Sequence, residues 1–276
     1  MKPRARSVLF VRLGACLRLC LAAGLLSAAR LAAAPVTVAL SPVADVTIFE
    51  ENADASDAKS QGLFAGRNNV DAIRRAFLRF DVAGSVPAGI HVSSANLKLS
   101  LTRSNSGFVF MSLYRVSAAW GEGTSNAGTP GGLGAPATPG DATWTRRVYP
   151  GTLWLAPGGD TASLASGTTL IGTALTDYVF ATTPQLVADV QGWLDGPATN
   201  FGWQLRADET QLAPTAKRFG SRENAESALQ PLLFVTYDDG RATPSPTGVP
   251  ALETPMLAAL ALLLAAFGAR LLNRSA

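Results

Sequence analysis

Residues 184–224 read PQLVADVQGWLDGPATNFGWQLRADETQLAPTAKRFGSREN and begin with a segment whose period predicts a short helix. Thr183 is in place to cap this helix, and Pro184 suits its first position. Gly196 and Pro197 predict its end, because glycine accepts a left-handed backbone and proline cannot extend a helix. The apolar residues recur at the spacing of one helix face: Leu186, Val187, Val190, Trp193 and Leu194.

A half-buried strand is predicted directly after this helix. Phe201, Trp203 and Leu205 alternate with smaller or polar residues, and alternation with a period of two places one set of side chains on one face of a sheet. Trp193 and Trp203 are therefore predicted to face the core.

The rest of the central region also predicts short strands. The segments VTVAL and VTIF near the start are β-branched, and Ala76, Leu78 and Phe80 alternate with the residues between them. Turn residues separate these segments at short intervals. We therefore predict an all-β fold, a jelly-roll-like antiparallel β-sandwich with one short helix.

Several blocks in this region resemble one protein family. The runs DVQGWLDGPATNFGW, AKRFGSREN and PLLFVTYDD are similar to the C-terminal half of DNRLRE-domain proteins, which are secreted bacterial β-sandwiches related to carbohydrate-binding modules. GLFAGRNN, RRAFLRFDV, LYRVSAAWGEGTSNA and PATPGDATW resemble the same family in the same order. The resemblance spans residues 36–237 and implies a fold and an exported location, but no particular ligand.

The two ends of the chain predict export and membrane attachment. Residues 1–34 combine early basic residues, an apolar run and small residues near 32–34, which indicates a signal peptide helix. Residues 35–239 would form the sandwich domain. Residues 240–254 contain a Pro-rich linker and a short motif, and 255–272 predict a transmembrane helix followed by the basic end 273–276.

The C-terminal layout resembles the IPTL-type variant of PEP-CTERM sorting tails, which exosortases read in Gram-negative bacteria. The motif residues would be Val249, Pro250, Ala251 and Leu252. This resemblance implies an exosortase-type partner and a route through the inner membrane and periplasm to the cell surface or extracellular matrix. A permanent membrane anchor fits the apolar run equally well.

Charge gives no support to a nucleic-acid partner. Of the 23 Lys and Arg residues, six lie in 1–34 and three in 241–276, which leaves 14 against 19 acidic residues between them. The central region is therefore acidic, and the basic balance of the whole chain belongs to its ends.

Catalytic chemistry is restricted by residue types. Both cysteines, Cys16 and Cys20, fall within the predicted signal peptide, and His91 is the single histidine. Thiol catalysis and two-histidine metal sites are thus excluded from the mature chain. We expect a non-catalytic surface or matrix protein that binds polysaccharide. The alternative is a polysaccharide hydrolase or lyase, or its accessory module, built on a pair of carboxylates.

Four residues are candidates for a ligand face. Trp154 lies in a strand-like segment where its ring would be free to stack on a sugar, and Arg67, Arg74 and Arg75 could meet an acidic polysaccharide. Core packing of the indole ring and a solvated basic surface are the respective alternatives.

Two long loops, 121–140 and 157–169, contain acidic residues without an apolar period. Glu122, Asp141 and Asp160 are the candidate ligands of a structural calcium ion, because hard cations prefer carboxylate and carbonyl oxygens. Ordinary solvated loops are the alternative. No other cofactor is expected.

Overall fold

The computed structural model describes residues 34–105 and 107–238. Within them lie fifteen strands, two α-helices and two short 3-10 helices. The helices are α1 (Val82–Ser85) and α2 (Pro184–Asp195), with 3-10 turns at Pro197–Thr199 and Ser227–Leu229. The strands are β1 (Pro35–Leu40), β2 (Pro42–Phe49), β3 (Ala55–Asp57), β4 (Gly62–Arg67), β5 (Ile73–Phe80), β6 (Val92–Ser104), β7 (Val109–Val116), β8 (Ala135–Pro136), β9 (Arg146–Val148), β10 (Thr152–Leu153), β11 (Thr161–Ile171), β12 (Asp177–Phe180), β13 (Trp203–Ala207), β14 (Lys217–Gly220) and β15 (Leu232–Asp238).

The strands form an antiparallel β-sandwich, as predicted. Thirteen of them form one hydrogen-bonded sheet, in which nine follow the order β1-β15-β6-β14-β4-β5-β13-β7-β11. The other four lie beside this path: β12 pairs with β6, β2 pairs with β5, β3 pairs with β2, and β8 pairs with β3. One layer contains β1, β15, β6 and β12, and the other contains β2, β5, β13, β7 and β11. Strands β14 and β4 connect the layers, since β14 pairs with β6 and β4 pairs with both β14 and β5.

The main core fills the space between the layers. Leu97 and Leu99 enter it from β6, and Leu113 and Leu205 enter it from β7 and β13, all with no exposed surface. The alternation predicted for residues 76–80 is confirmed, because Ala76, Leu78 and Phe80 all join this core.

Helix α2 covers one end of the main core. Trp193 is fully buried and meets the Trp203 ring edge-on, with ring centroids 4.4 Å apart. Thr183 caps the helix, because its hydroxyl accepts a hydrogen bond from the Leu186 backbone N–H. Pro184 occupies the first turn and Gly196 follows the last residue, so the predicted helix is confirmed.

A second core lies on the opposite face of β5, under the long loops. Phe77 points into it and contacts Trp120 and Trp154, each at a centroid distance of 5.4 Å. Trp144 belongs to the same cluster. The loop after β7 therefore packs as a third layer on the sheet and buries its aromatic side chains there.

The expectations for the two chain ends fall on residues outside the described ranges. These are the signal peptide helix, the Pro-rich linker, the sorting motif and the transmembrane helix at 255–272. Within 34–105 and 107–238, the helices are all too short or too polar to cross a membrane.

Candidate functional site

The structure places Trp154 in the second core rather than on a ligand face. Its side chain is 5% exposed, and its ring stacks on Phe77 with an angle of 12° between the planes. The indole N–H donates to the Thr143 carbonyl at 2.9 Å. Both the ring and its N–H group thus contact other protein groups. Trp154 therefore packs in a core, as the alternative to sugar stacking predicted.

Arg67 and Arg75 hold the segment after β13. Arg75 binds the Glu209 carboxylate through two hydrogen bonds of 2.8 and 2.7 Å and lies over the Trp144 ring. Arg67 donates to the backbone carbonyls of Glu209 and Gln211. Bidentate and backbone contacts of this kind fix a loop in place.

Arg74 lies in a different place, at the rim of a cavity. It forms an ion pair with Glu51 at 2.6 Å, and its guanidinium lies 6.0 Å from the Phe64 ring centroid. The sequence predicts Arg67, Arg74 and Arg75 on one ligand face. Arg74 and Arg75 are neighbours on β5, however, and neighbouring residues of one strand point to opposite faces of the sheet. Arg74 is therefore separated from Arg75.

This cavity has a volume of about 120 Å³ and lies where the 128–134 loop covers the outer face of β4, β14 and β6. Gly131 and Gly132 come close to the Phe64 ring, which forms part of the wall. The lining residues are Phe64, Arg74, Arg103, Asn105, Pro130, Gly132, Ala216, Lys217 and Arg218. We call it the cationic cavity, because four of these side chains are basic and none is acidic.

Two arginines stand directly opposite one another on neighbouring strands of the cationic cavity. Arg218 of β14 is the register partner of Arg103 of β6. Among the residues that the structure describes, Arg103 has no carboxylate within ion-pair distance, and it is exposed. Like charges in directly opposed positions destabilise a sheet. Arg103 therefore stands beside a like charge without a carboxylate of its own, and an added negative group would relieve the repulsion.

The pKa values of three ionisable groups at or near the cationic cavity are shifted by their surroundings. Burial lowers the pKa of Arg218. The negative charge of the nearby Asp57 acts against this decrease, and the positive charge of Arg103 adds to it. Asp57 is 2% exposed, and burial raises its pKa. Lys217 is also buried, which lowers its pKa, and its amino group donates to Ser104 at 2.6 Å. Each shift disfavours the charged form of its group, as expected when water is removed.

The cavity wall orients Arg218 tightly. Its guanidinium lies 5.9 Å from the Phe64 ring centroid, and its side chain crosses Gly62 so closely that a Cβ there would come within 2.2 Å of Nε. Gly62 thus leaves room for the arginine, and the aromatic ring favours a cation beside it. A preorganised guanidinium is a suitable donor to a carboxylate, sulfate or phosphate group.

The three acidic residues proposed for calcium do not come together as one site. Asp141 is fully buried and accepts hydrogen bonds from Thr138 within its own loop. Asp160 accepts from the backbone N–H groups of Leu155 and Ala156. Each carboxylate stabilises a local turn, which sequence spacing alone does not distinguish from metal ligation.

Glu122 joins a different acidic cluster, with Asp45 and Glu223, whose carboxylate oxygens lie within 4.8 Å of one another. Two cations already reach this cluster: Lys59 lies 2.8 Å from Glu122, and Arg222 lies 2.6 Å from Glu122 and 2.7 Å from Glu223. The cluster is thus an ion network that connects β2, the long loop and the segment after β14.

A comparison with protein-family models gives one match, to the first half of the sandwich. Residues 36–129 match the model of carbohydrate-binding module family 96. The match covers most of β1, all of β2 to β7 and part of the loop that covers the cationic cavity. It supports a carbohydrate-binding-module-like domain, a class that is typically non-catalytic. No curated protein matches the chain.

Arg103, Lys217 and Arg218 are residues of the cavity that the sequence did not single out. The run AKRFGSREN contains two of them, but the sequence singled it out only for its resemblance to a family. Their proximity to Arg103 depends on the strand register between positions separated by 114 residues, which local patterns do not specify.

Proposed function

We propose that this chain is an exported, non-catalytic carbohydrate-binding module whose cationic cavity takes the acidic group of a glycan. The observation that carries the proposal is the direct opposition of Arg103 and Arg218 on neighbouring strands. A carboxylate or sulfate group between them would replace repulsion by two charge-assisted hydrogen bonds. The match to a carbohydrate-binding module family supports a glycan as the source of that group.

The size of the cavity supports recognition of a substituent rather than a whole sugar ring. Its volume of about 120 Å³ equals that of roughly four waters at the density of the liquid. That is room for a carboxylate or a sulfate ester, with the glycan chain lying across the open mouth. Shape and charge together favour uronic acid or sulfated residues over neutral ones.

The chain ends and family blocks support an extracellular role for this module. A signal peptide at 1–34, the DNRLRE-like blocks and a sorting tail around Val249–Leu252 would bring the domain to the cell surface or matrix. There it would attach the cell, or the matrix, to acidic polysaccharide. The membrane helix and the exosortase-type enzyme are the partners that this route requires.

The enzyme alternative has weaker support. A glycosidase needs two carboxylates that can reach a substrate. In the acidic cluster, Asp45 is 1% exposed, and Glu122 is bound by Lys59 and Arg222. These groups serve the ion network, so we assign no catalysis to them.

The test is a calorimetric titration of the full chain with hexagalacturonate, its methyl-esterified form and a sulfated hexasaccharide. The esterified form has the same backbone without the charge. We expect binding of at least one acidic probe, no binding of the esterified probe, and weaker binding at higher salt.

Arg103→Gln should weaken acidic binding at least tenfold, because a charge-assisted hydrogen bond contributes roughly 1.5–3 kcal/mol. It should leave the melting temperature unchanged or raise it, since it relieves repulsion with Arg218. Arg147→Gln is the matched control, because Arg147 binds the Ala119 carbonyl and lies outside the cavity lining. Equal affinities in all three proteins would refute the cationic cavity as the site.

A further inference from the structure

The outer face of β7 carries a second candidate binding surface, which shares no lining residue with the cationic cavity. Phe110, Ser112 and Tyr114 alternate along β7 with Met111 and Leu113, both of which are fully buried in the main core. The first three therefore face outward. Phe110 is 53% exposed, a large fraction for an aromatic side chain in the middle of a sheet.

Neighbouring strands extend this surface on both sides. Ser112 shares a 2.8 Å hydroxyl hydrogen bond with Thr168 of β11, and its register partner on β13 is Arg206. The Arg206 guanidinium lies 4.9 Å from the Tyr114 ring centroid. An open cavity of about 340 Å³ results, lined by Phe110, Ser112, Tyr114, Arg206, Ala207, Asp208, Glu209 and Thr210.

The polar groups at this surface are held in place and nearly balanced in charge. Asp208 accepts hydrogen bonds from the backbone and hydroxyl of Thr210. Glu209 is bound by Arg75, and burial together with Arg75 lowers the pKa of Arg206 to about 10, which leaves it charged at neutral pH. Arg75, which lies outside the lining, thus compensates the Glu209 charge. The lining also holds one carboxylate, Asp208, and one guanidinium, Arg206, so no excess of positive charge favours an anion there.

We propose that the β7 face, Phe110, Ser112 and Tyr114 with Arg206 and Asp208, is a second glycan subsite that takes a neutral pyranose ring. A pyranose has an apolar face of C–H groups and a rim of hydroxyls. The Phe110 ring offers an exposed apolar surface, while Asp208 and Ser112 retain acceptor capacity for hydroxyl groups.

The volume agrees with this ligand class. About 340 Å³ falls at the lower end of the range for small-molecule sites, roughly 300–1,000 Å³, whereas the cationic cavity lies well below it. The inference rests on the proposed carbohydrate-binding function and adds a neutral subsite to it. A glycan with both acidic and neutral residues would then be able to use both surfaces.

The test uses the full chain and neutral β-1,4-linked hexasaccharides of glucose, xylose and mannose, with hexagalacturonate as the second probe. Phe110→Ala should weaken binding of the best neutral probe at least tenfold and keep hexagalacturonate binding within threefold. Phe110→Tyr preserves an aromatic ring that can stack on a sugar, so its affinities for the neutral probe and for hexagalacturonate should both stay within threefold of the wild-type values. Leu155→Ala removes a side chain that is 96% exposed and outside both linings, so it controls for loss of surface apolar area.

Each outcome separates the inference from the proposed function. Neutral binding that survives Phe110→Ala would overturn the β7 subsite. Binding of hexagalacturonate with no neutral binding would also overturn it and leave the proposed function in place. Neutral binding that is lost in Phe110→Ala, with no binding of hexagalacturonate or of the sulfated hexasaccharide by the wild type, would support the subsite and reject the cationic cavity. Failure to bind any of these probes, the sulfated hexasaccharide included, would reject both.

Discussion

At the scale of single residues, the pKa values of two carboxyl groups in the ion network, Asp45 and Glu122, are shifted in opposite directions. Burial, together with Glu223, raises the pKa of Asp45 well above its ordinary value. Burial also acts on Glu122, but hydrogen bonds from Lys59, the Asp45 backbone and Arg222 outweigh it and lower the pKa of that carboxyl. Asp45 therefore destabilises the folded state when ionised, whereas Glu122 stabilises it.

Asp45→Asn should become more stable relative to wild type as the pH rises. In wild type, the folded state keeps a proton on Asp45 that the unfolded state releases near pH 4. The protonated Asp45 therefore adds to the stability of the wild type at a pH below its pKa in the unfolded state. This contribution is lost as the pH rises through the higher pKa that Asp45 has in the folded state. Asparagine can still accept from the Arg222 N–H but does not titrate.

Urea denaturation of both proteins from pH 4 to pH 8 measures this difference. Asp54→Asn is the matched control, because Asp54 is exposed in the loop before β3. Parallel stability curves for wild type and Asp45→Asn would contradict the assigned pKa shift.

The structure places the residues predicted for the ligand face in different surroundings. Arg74 does line a cavity, but Arg67 and Arg75 bind a loop and Trp154 packs in the core. Residue type predicts the chemistry that a side chain is able to perform. Its partner depends on strand pairing and loop packing, which bring together positions far apart in the chain.

At the scale of elements, periodic segments were predictable and the loops were not. Helix α2 and strands β5 and β13 follow the helical and alternating patterns closely, because each has one face in the main core. Residues 117–160 have no such period, yet they bury Trp120, Trp144 and Trp154 against β5. An irregular backbone buries aromatic side chains one at a time, so the sequence of such a loop contains no repeated spacing from which their burial could be predicted.

Trp193→Ala should destabilise the domain by about 3–5 kcal/mol, because it removes a fully buried ring between α2 and Trp203. Trp193→Phe should cost less, since it retains most of the apolar contact. Chemical denaturation of the two variants gives the comparison. An unchanged midpoint for Trp193→Ala would be inconsistent with the packing of α2.

At the scale of the whole molecule, the described residues from 35 to 238 belong to one compact unit. Both described cores and all described strands lie within it. We therefore expect residues 36–239, expressed alone, to unfold in one cooperative transition at a temperature close to that of the full chain. Calorimetry checks this prediction, and a broad transition without a heat-absorption peak would show that the sandwich needs the chain ends.

The C-terminal prediction concerns processing. We expect the mature protein to end near Val249–Leu252 and to lack residues 256–276 in cells that contain a matching exosortase. A sorting enzyme would need the motif, whereas a simple anchor would not. Intact-mass analysis of protein from the native envelope, with and without Pro250→Ala, distinguishes them. The full tail in both samples would support a permanent anchor instead.

The central claim is that the cationic cavity binds acidic glycans, and a glycan array probed with the full chain tests it most directly. We predict signal on polysaccharides that carry uronic acid or sulfate groups, loss of that signal in Arg103→Gln, and its retention in Arg147→Gln. The opposition of Arg103 and Arg218 is the physical basis of this expectation. Absence of signal on every acidic glycan, or signal that Arg103→Gln leaves unchanged, would contradict it.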